Sequence, residues 1–455
     1  PWLTPEKAMT MNLNGTWKFK FVPGTSRGPA ETNFYPADYD DSDWDDIRVP
    51  LSWEMAGFGT PVYVNVGYAF VNNPPYTNQG ITSYGVVDNN ATGFYRRSFT
   101  LPENWGDKRV FIHFDGVYSA AAVFVNGKYV GYSQGSNNDA EFDITDFVKT
   151  GDNQLSVRVY RWCDGSYFEG QDIWHLSGIH RDVYLVATPK VWASDHYIKA
   201  SLNNDATSGS LNVALTVDNR DKQQATKNFS VELLDADGKS VATGSKEYSG
   251  NSTQKLNITL DNLTALHPWS AEDPYLYTVV VKQANGGSDE MVFSTKFGFR
   301  NIKIDGTLVK INGKRVFFKG VNSHDAHPKY GRAIDTETML RDVQLMKQAN
   351  VNTIRTSHYP RQAKMYAMFD AYGLYCMDEA DVECHYNDRL ASTSSWTETM
   401  RDREMRMVLR DRNHPSVIFW SMGNESGSAN NLSSILPEVR KTDDRPIHFE
   451  SSGGY

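Results

Sequence analysis

Val351-Asn352-Thr353-Ile354-Arg355-Thr356 and Leu374-Tyr375-Cys376-Met377-Asp378 read as two short strands. Between them lies a predicted helix, with Pro360 where it begins and Gly373 where it ends. The same rhythm runs outward in both directions. Upstream, Val316-Phe317-Phe318-Lys319-Gly320 is an apolar strand, and Asp335 or Thr336 caps a helix whose Met339, Val343 and Met346 share one face. Downstream come a helix near Thr397 to Asp411, a strand from Val417 to Ser421 and a fifth strand from Ile447 to Glu450. Strand–helix alternation predicts parallel β/α units. A closed barrel of such units needs eight strands and about 250 residues. Residues 302–455 supply five candidate strands, so the expectation is a (β/α)8 TIM barrel cut short; a smaller open sheet is the alternative.

The rest of the chain is β. In residues 1–188, Phe94 to Phe99, Val110 to Phe114 and Leu155 to Tyr160 alternate with period two. Ala121 to Tyr132 reads as a hairpin around Asn126-Gly127, the pair that suits a type I′ turn because both positions need positive φ. Many short strands with turn signals predict a jelly-roll sandwich, a fold that can bind sugar. Residues 189–301 carry strands at Leu211 to Val217, Phe229 to Leu234, Leu256 to Leu260 and Leu276 to Lys282, with Asp237-Gly238 at a turn. Their spacing predicts an immunoglobulin-like sandwich acting as a spacer. The fold class expected is therefore multidomain β plus α/β.

Composition narrows the function. The 455 residues are 40% hydrophobic and 22% charged, which is globular rather than disordered. Net charge is −9 and no strong basic tract appears, which argues against a nucleic-acid partner. No apolar run approaches the roughly 20 residues of a membrane span. Three cysteines, Cys163, Cys376 and Cys384, exclude a disulfide scaffold. Pro1-Trp2-Leu3 has no initiator Met, so the chain reads as processed or trimmed, and the compartment stays open: cytoplasmic, or periplasmic or secreted if a signal peptide was removed.

In parallel β/α barrels the chemistry sits at the C-terminal strand ends. Here those ends lead, in order, into Asn322-Ser323-His324, Arg355-Thr356-Ser357-His358, Asp378-Glu379 with Glu383-Cys384-His385, Gly423-Asn424-Glu425, and Glu450. Five polar ends rich in His and carboxylate read as one cleft. Glu383 and His385 are two apart, so in an extended segment both point to one side. With Glu425 they form a candidate three-ligand metal site, whose oxygens favour Mg²⁺ and whose imidazole would also suit Mn²⁺ or Zn²⁺. Carboxylates without a nucleophilic Ser or reactive Cys suggest glycoside hydrolysis, with Glu425 as the acid.

The run Asn413-His414-Pro415-Ser416-Val417-Ile418-Phe419-Trp420-Ser421-Met422-Gly423-Asn424-Glu425-Ser426 resembles glycoside hydrolase family 2, and its Gly-Asn-Glu-Ser ending is similar to that of the family's β-galactosidases. Asp164-Gly165-Ser166-Tyr167, Gln171-Asp172-Ile173-Trp174, Ser177-Gly178-Ile179-His180-Arg181-Asp182-Val183, Ser357-His358-Tyr359-Pro360 and Asp378-Glu379-Ala380 agree in the same order. The resemblance implies a retaining hydrolase that removes terminal non-reducing β-D-galactose from β-galactosides, a homo-oligomer when full length. It implies Glu425 as general acid/base, and Glu383, His385 and Glu425 as Mg²⁺ ligands. Asp172 would contact galactose and Na⁺, Asn73 the sugar, and His324, His358 and Asn424 the galactosyl hydroxyls. Metal on Glu425 would depress its pKa and so oppose its acid role. Tyr386 departs from the Gly usual after Glu-x-His. The family nucleophile is a Glu on a strand beyond Pro446-Ile447-His448-Phe449-Glu450, so Glu450 is not assigned that role, and this chain alone is expected to be inactive. The rivals are another family specificity, β-glucuronidase or β-mannosidase, and a non-catalytic carbohydrate-binding chain.

Overall fold

The computed structural model describes residues 9–24, 33–77, 90–385 and 387–450. Tyr386, whose departure puts the local loop in question, lies outside them. In the first region two antiparallel sheets face one another. One has six strands, with Thr92–Leu101 and Gly151–Tyr160 at its centre; the other has four, centred on Val183–Thr188 and Arg109–Phe114. Their inward residues, among them Trp17, Tyr95, Val123, Val157, Ile112 and Leu185, make one core. The hairpin turns as its sequence requires: Asn126 has φ 50° and Gly127 φ 79°.

The second region is a sandwich of a three-stranded and a four-stranded antiparallel sheet. Gly209–Asn219 shows the period-two burial that its sequence foretells. Three of its strands, Val191–Leu202, Ser240–Gly250 and Ser288–Phe297, are not foreseen in the sequence. Asp237-Gly238 accordingly turns into Ser240–Gly250 rather than towards Leu256. This region is locked to the third by Trp269, whose indole N–H donates to the Asp370 carbonyl at 2.9 Å, and by Asn413, which accepts from the Ile198 N–H at 2.9 Å.

The third region opens with a small meander over residues 302–315 and then enters a parallel sheet. Its strands are β1 (Gly320–Asn322), β2 (Thr353–Arg355), β3 (Tyr375–Glu379), β4 (Val417–Ser421) and β5 (Ile447–His448), adjacent in chain order. Helices α1 (Thr336–Gln348), α2 (Ala363–Tyr372), α3 (Thr397–Asp411) and α4 (Leu432–Thr442) connect them. Consecutive order with every strand parallel is the winding of a β/α barrel. Asp335 caps α1, accepting from the Thr338 N–H at 2.8 Å, and Gly373 ends α2 at φ 74°.

Three boundaries differ from the sequence reading. The first strand begins at Gly320, not Val316; Val316 to Lys319 belong to no strand, the Val316 N–H donates to the Val309 carbonyl of the meander, and the partly exposed Phe318 ring lies against β3 and β4, 6.0 Å from Tyr375 and 5.8 Å from Phe419. Helix α2 starts at Ala363, because the first region's Arg181 donates to the Pro360 carbonyl at 2.7 Å and the Arg361 N–H donates to the Tyr366 hydroxyl. β5 stops at His448, two residues short of Glu450.

Candidate active site

Register aligns the strand ends. Arg355 pairs with Met377 and Asn322, and Glu379 with Ser421, which pairs with His448. Polar side chains therefore converge at one end of the sheet. Glu379 is fully buried there and is the centre of a network. It accepts a bidentate pair from Arg355 (2.7 and 3.0 Å), a contact from His358 Nδ1 at 2.5 Å and the Ser421 hydroxyl at 2.6 Å. Arg355 also donates to Asn424 Oδ1 at 3.0 Å, which joins β2, β3 and β4. Charge-assisted bidentate bonds of this kind fix geometry as well as adding energy. The sequence reading assigned neither Arg355 nor Glu379 a role, although an Arg ending an apolar strand was the available signal.

Beyond β3, Glu383, His385 and Glu425 come together, with one ligand atom from each within 4.8 Å of the others. His385 Nδ1 lies 3.2 Å from Glu425 and 3.9 Å from Glu383. Burial pushes the Glu383 carboxyl well above the usual range, while a hydrogen bond from Asn424 opposes the rise and the Glu425 charge adds to it. Glu383 Oε2 and His385 Nδ1 are buried with no hydrogen-bond partner among the described residues. Two carboxylates and an imidazole with orphaned atoms fit a bound divalent cation, which would reverse that cost. Glu425 itself sits at φ 35° after Gly423 at φ 122°, a left-handed turn that brings the strand exit sharply round. A Cβ on Gly423 would stand 2.3 Å from the Val382 carbonyl oxygen, so only glycine fits. The turned-out Glu425 side chain is 42% exposed, a carboxyl open to solvent.

The first region reaches this site by its backbone. The Gly170 N–H donates to the Glu383 carbonyl at 2.8 Å and the Glu383 N–H to the Phe168 carbonyl at 2.7 Å. Glu383 is bridged in parallel fashion to Glu169 on one side and to Asn424 on the other. Gln171 then anchors its side chain to Asp381 at 3.1 Å, which presents the exposed Asp172. Burial raises the Asp172 carboxyl somewhat, His385 and His358 pull it down and Glu425 pushes it up; the first region's acid thus stands in the field of the barrel's site. His324 faces the His358 ring at 5.3 Å, and its Nδ1 lies 3.2 Å from the Tyr359 hydroxyl. Burial, then the Arg361 and Arg332 guanidiniums, push its imidazole down to about 3, so it is neutral. Asn73 is exposed on a loop whose N–H donates to the Tyr167 hydroxyl at 2.9 Å; its neighbour Asn72 accepts from Asn387 at 3.0 Å, close behind His385 in the chain. Of the residues singled out in the sequence, Glu383, His385, Glu425, Asn424, Asp172, His324 and His358 are brought together, with Asn73 on a loop at the margin. Glu450 is half-exposed with its carboxylate 3.7 Å from His448.

Comparison with known proteins follows the same division of the chain. The sugar binding domain of the glycosyl hydrolases family 2 matches residues 10–189, a further domain of that family residues 191–300, and its TIM barrel domain residues 302–454. A beta-galactosidase of Psychromonas ingrahamii is 39% identical over 97% of this chain and 42% of its own length. One of Streptococcus thermophilus is 38% identical over 98% and 43%. The chain thus spans less than half the length of these curated relatives. Among solved structures, a family 2 member from Bacteroides cellulosilyticus superposes with a TM-score of 0.78 at 24% identity, covering 97% of this chain and 56% of that one. A β-glucuronidase of Bacteroides uniformis gives 0.77 at 23%, covering 97% and 52%. Two β-sandwiches followed by parallel β/α units, in the order and at the boundaries of these matches, place the chain in glycoside hydrolase family 2.

Proposed function

We propose that the protein containing this chain is a retaining β-galactosidase that releases terminal non-reducing β-D-galactose. The observation that carries the reading is the meeting of the exposed Glu425 with Glu383 and His385, within whose electrostatic reach the first region's Asp172 stands. Glu425 would protonate the glycosidic oxygen as the bond breaks and later take a proton from water. Neutral His324 can accept a hydrogen bond from a sugar hydroxyl; His358, fixed at Nδ1 by Glu379, offers Nε2; Asn424, Asp172 and Asn73 complete the polar shell. Glu383, His385 and Glu425 would hold Mg²⁺, and Asp172 a Na⁺. The divalent cation would supply positive charge beside the developing transition state.

The choice of galactose rests on Gly423-Asn424-Glu425-Ser426 at the exit of β4, which is similar to the corresponding ending in the family's β-galactosidases. The curated relatives named beta-galactosidase support the same choice. The test is a panel of aryl β-galactosides, β-glucuronides and β-mannosides offered to the full-length protein. Preference for either of the latter two would reject the specificity. Residues 1–455 alone are expected to show no turnover. Retention needs a second carboxylate about 5–5.5 Å from the acid, across the scissile bond; Glu379 is committed to Arg355, His358 and Ser421, and Glu383 shares the candidate cation site with Glu425.

Chelation should lower the full-length activity, with Mg²⁺ restoring it, and Glu383→Gln should weaken that response. A rate indifferent to exhaustive chelation would mean the three-residue cluster holds no catalytically useful ion.

A further inference from the structure

The second and third regions meet over a polar cavity of about 240 Å³. Lys199 comes to it from the strand Val191–Leu202, Arg300 from the link into the third region, and Arg412, Asp443, Asp444 and Arg445 from the barrel. Asp443 to Arg445 lie just before β5, and Arg300 donates to the carbonyl of Val417, the first residue of β4, at 2.8 Å. The cavity is therefore at the opposite end of the sheet from the candidate active site. Its charges do not balance. Arg412 is paired with Asp195 and Lys199 with Asp444, each at 2.6 Å. Arg445 takes Asp443, also at 2.6 Å. That carboxylate is fully used. One oxygen accepts from the Trp420 indole at 2.9 Å and the Arg445 N–H at 3.0 Å, the other from the Tyr197 hydroxyl at 3.0 Å and from Arg445 Nη1. Arg300 is left with two backbone carbonyls, those of His414 and Val417. Among the described residues no carboxylate pairs with it, and none accepts from the enclosed Nε–H of Arg300, Arg412 or Arg445. Burial, and then the Arg445 charge, press against the Arg300 cation, which a guanidinium keeps all the same. Four cations, Lys199, Arg300, Arg412 and Arg445, thus face three carboxylates, Asp195, Asp443 and Asp444. An enclosed charge without a counter-ion is costly. Guanidinium forks match the oxygens of a phosphate group, and a lysine at the rim adds a mobile point charge.

We propose that this cavity binds a free inorganic oxyanion of the phosphate class, which supplies the missing negative charge and ties the second region to the base of the barrel. Arg300 and Arg445 are its principal ligands, and Lys199, half-exposed, closes the rim. The site does not depend on which glycoside the protein cleaves.

The experiment is calorimetric titration of the full-length protein with inorganic phosphate, and with chloride at the same ionic strength. Exhaustive chelation beforehand keeps phosphate from being drawn to a bound metal. Phosphate is expected to bind saturably, one per chain, and chloride not at all. Arg300→Gln should weaken phosphate binding at least about tenfold, the scale of a lost charge-assisted hydrogen bond. Lys199→Ala should weaken it about two- to fivefold, the scale of an exposed charge. Arg300→Lys, which keeps the charge and loses the fork, should fall between wild type and Arg300→Gln. Circular dichroism checks that each variant is folded; if Arg300→Gln is not, Lys199→Ala and Arg300→Lys decide. Phosphate binding that these variants leave unchanged would overturn the site. So would a phosphate response no larger than that to chloride, and a carboxylate from another part of the protein would then be the counter-ion of Arg300.

Discussion

Glu425→Gln in the full-length protein is expected to lower kcat on β-galactosides by about 10²–10⁴-fold, the range that general acid–base catalysis contributes, with KM much less affected. The amide keeps the shape of the side chain and removes only its transferable proton. The loss should depend on the leaving group: an acidic phenol needs little protonation as it departs, so nitrophenyl galactosides should lose least and alkyl galactosides most. A uniform loss across leaving groups would indicate that Glu425 serves the metal or the fold and not the proton. The structure makes the two roles separable. Glu383 is the buried member of the cluster and Glu425 the exposed one, so Glu383→Gln should act chiefly through the metal response.

The second large effect is on stability, at Arg403. This guanidinium is 2% exposed and lies between Glu169 at 2.8 Å and Asp381 at 3.2 Å. It also donates to the carbonyls of Asp381 and Gly165 at 2.8 and 3.0 Å. Arg403→Met leaves two buried carboxylates without their cation, a change that typically costs ~3–5 kcal/mol. The readout is hydrogen exchange at the Gly170 and Glu383 amides, which close the junction between the first region and the barrel. Both should lose protection together. Unchanged protection would show that Arg403 contributes nothing to that junction. The pH dependence has a definite sign. Burial, then Glu169, raises the folded-state pKa of Asp381, and Arg403 opposes them, so removing Arg403 raises it further. A raised carboxyl pKa destabilises the folded state as pH rises through it. The deficit should therefore be larger at pH 8 than at pH 5.

Much of this architecture was legible in the chain, because the relevant segments carry strong local signals. Helix α3 and strand β4 fall on the residues read for them, Thr397–Asp411 and Val417–Ser421: the helix buries residues at helical spacing, and the strand is a short apolar run covered on both faces. What escaped notice lacked such a signal. Ser240–Gly250 has one buried side chain in eleven, Tyr248, so its sequence shows no apolar alternation and its pairing is fixed by neighbours. Helix α4 contains Pro437, which argues against a helix when read alone, yet Leu432, Ile435 and Val439 bury one face of it. At the site, His and carboxylate at strand ends could be seen as a group. The buried charge network could not, because Arg403, Glu169 and Asp381 are far apart in sequence and meet only when the first region docks.

That docking bears on inheritance. Glu383 is clasped as a middle strand would be, between Glu169 of the first region and Asn424 of the barrel. A gene crossover anywhere between the codons for residues 189 and 302 would unite a barrel with a foreign clasp. Such chimaeras could keep both folds and still misplace the loop on which Glu383 and His385 sit. Lineages exchanging these segments would therefore be filtered at Phe168 to Gly170, and a search for mosaic ancestry should find breakpoints scarce between that segment and Asn424.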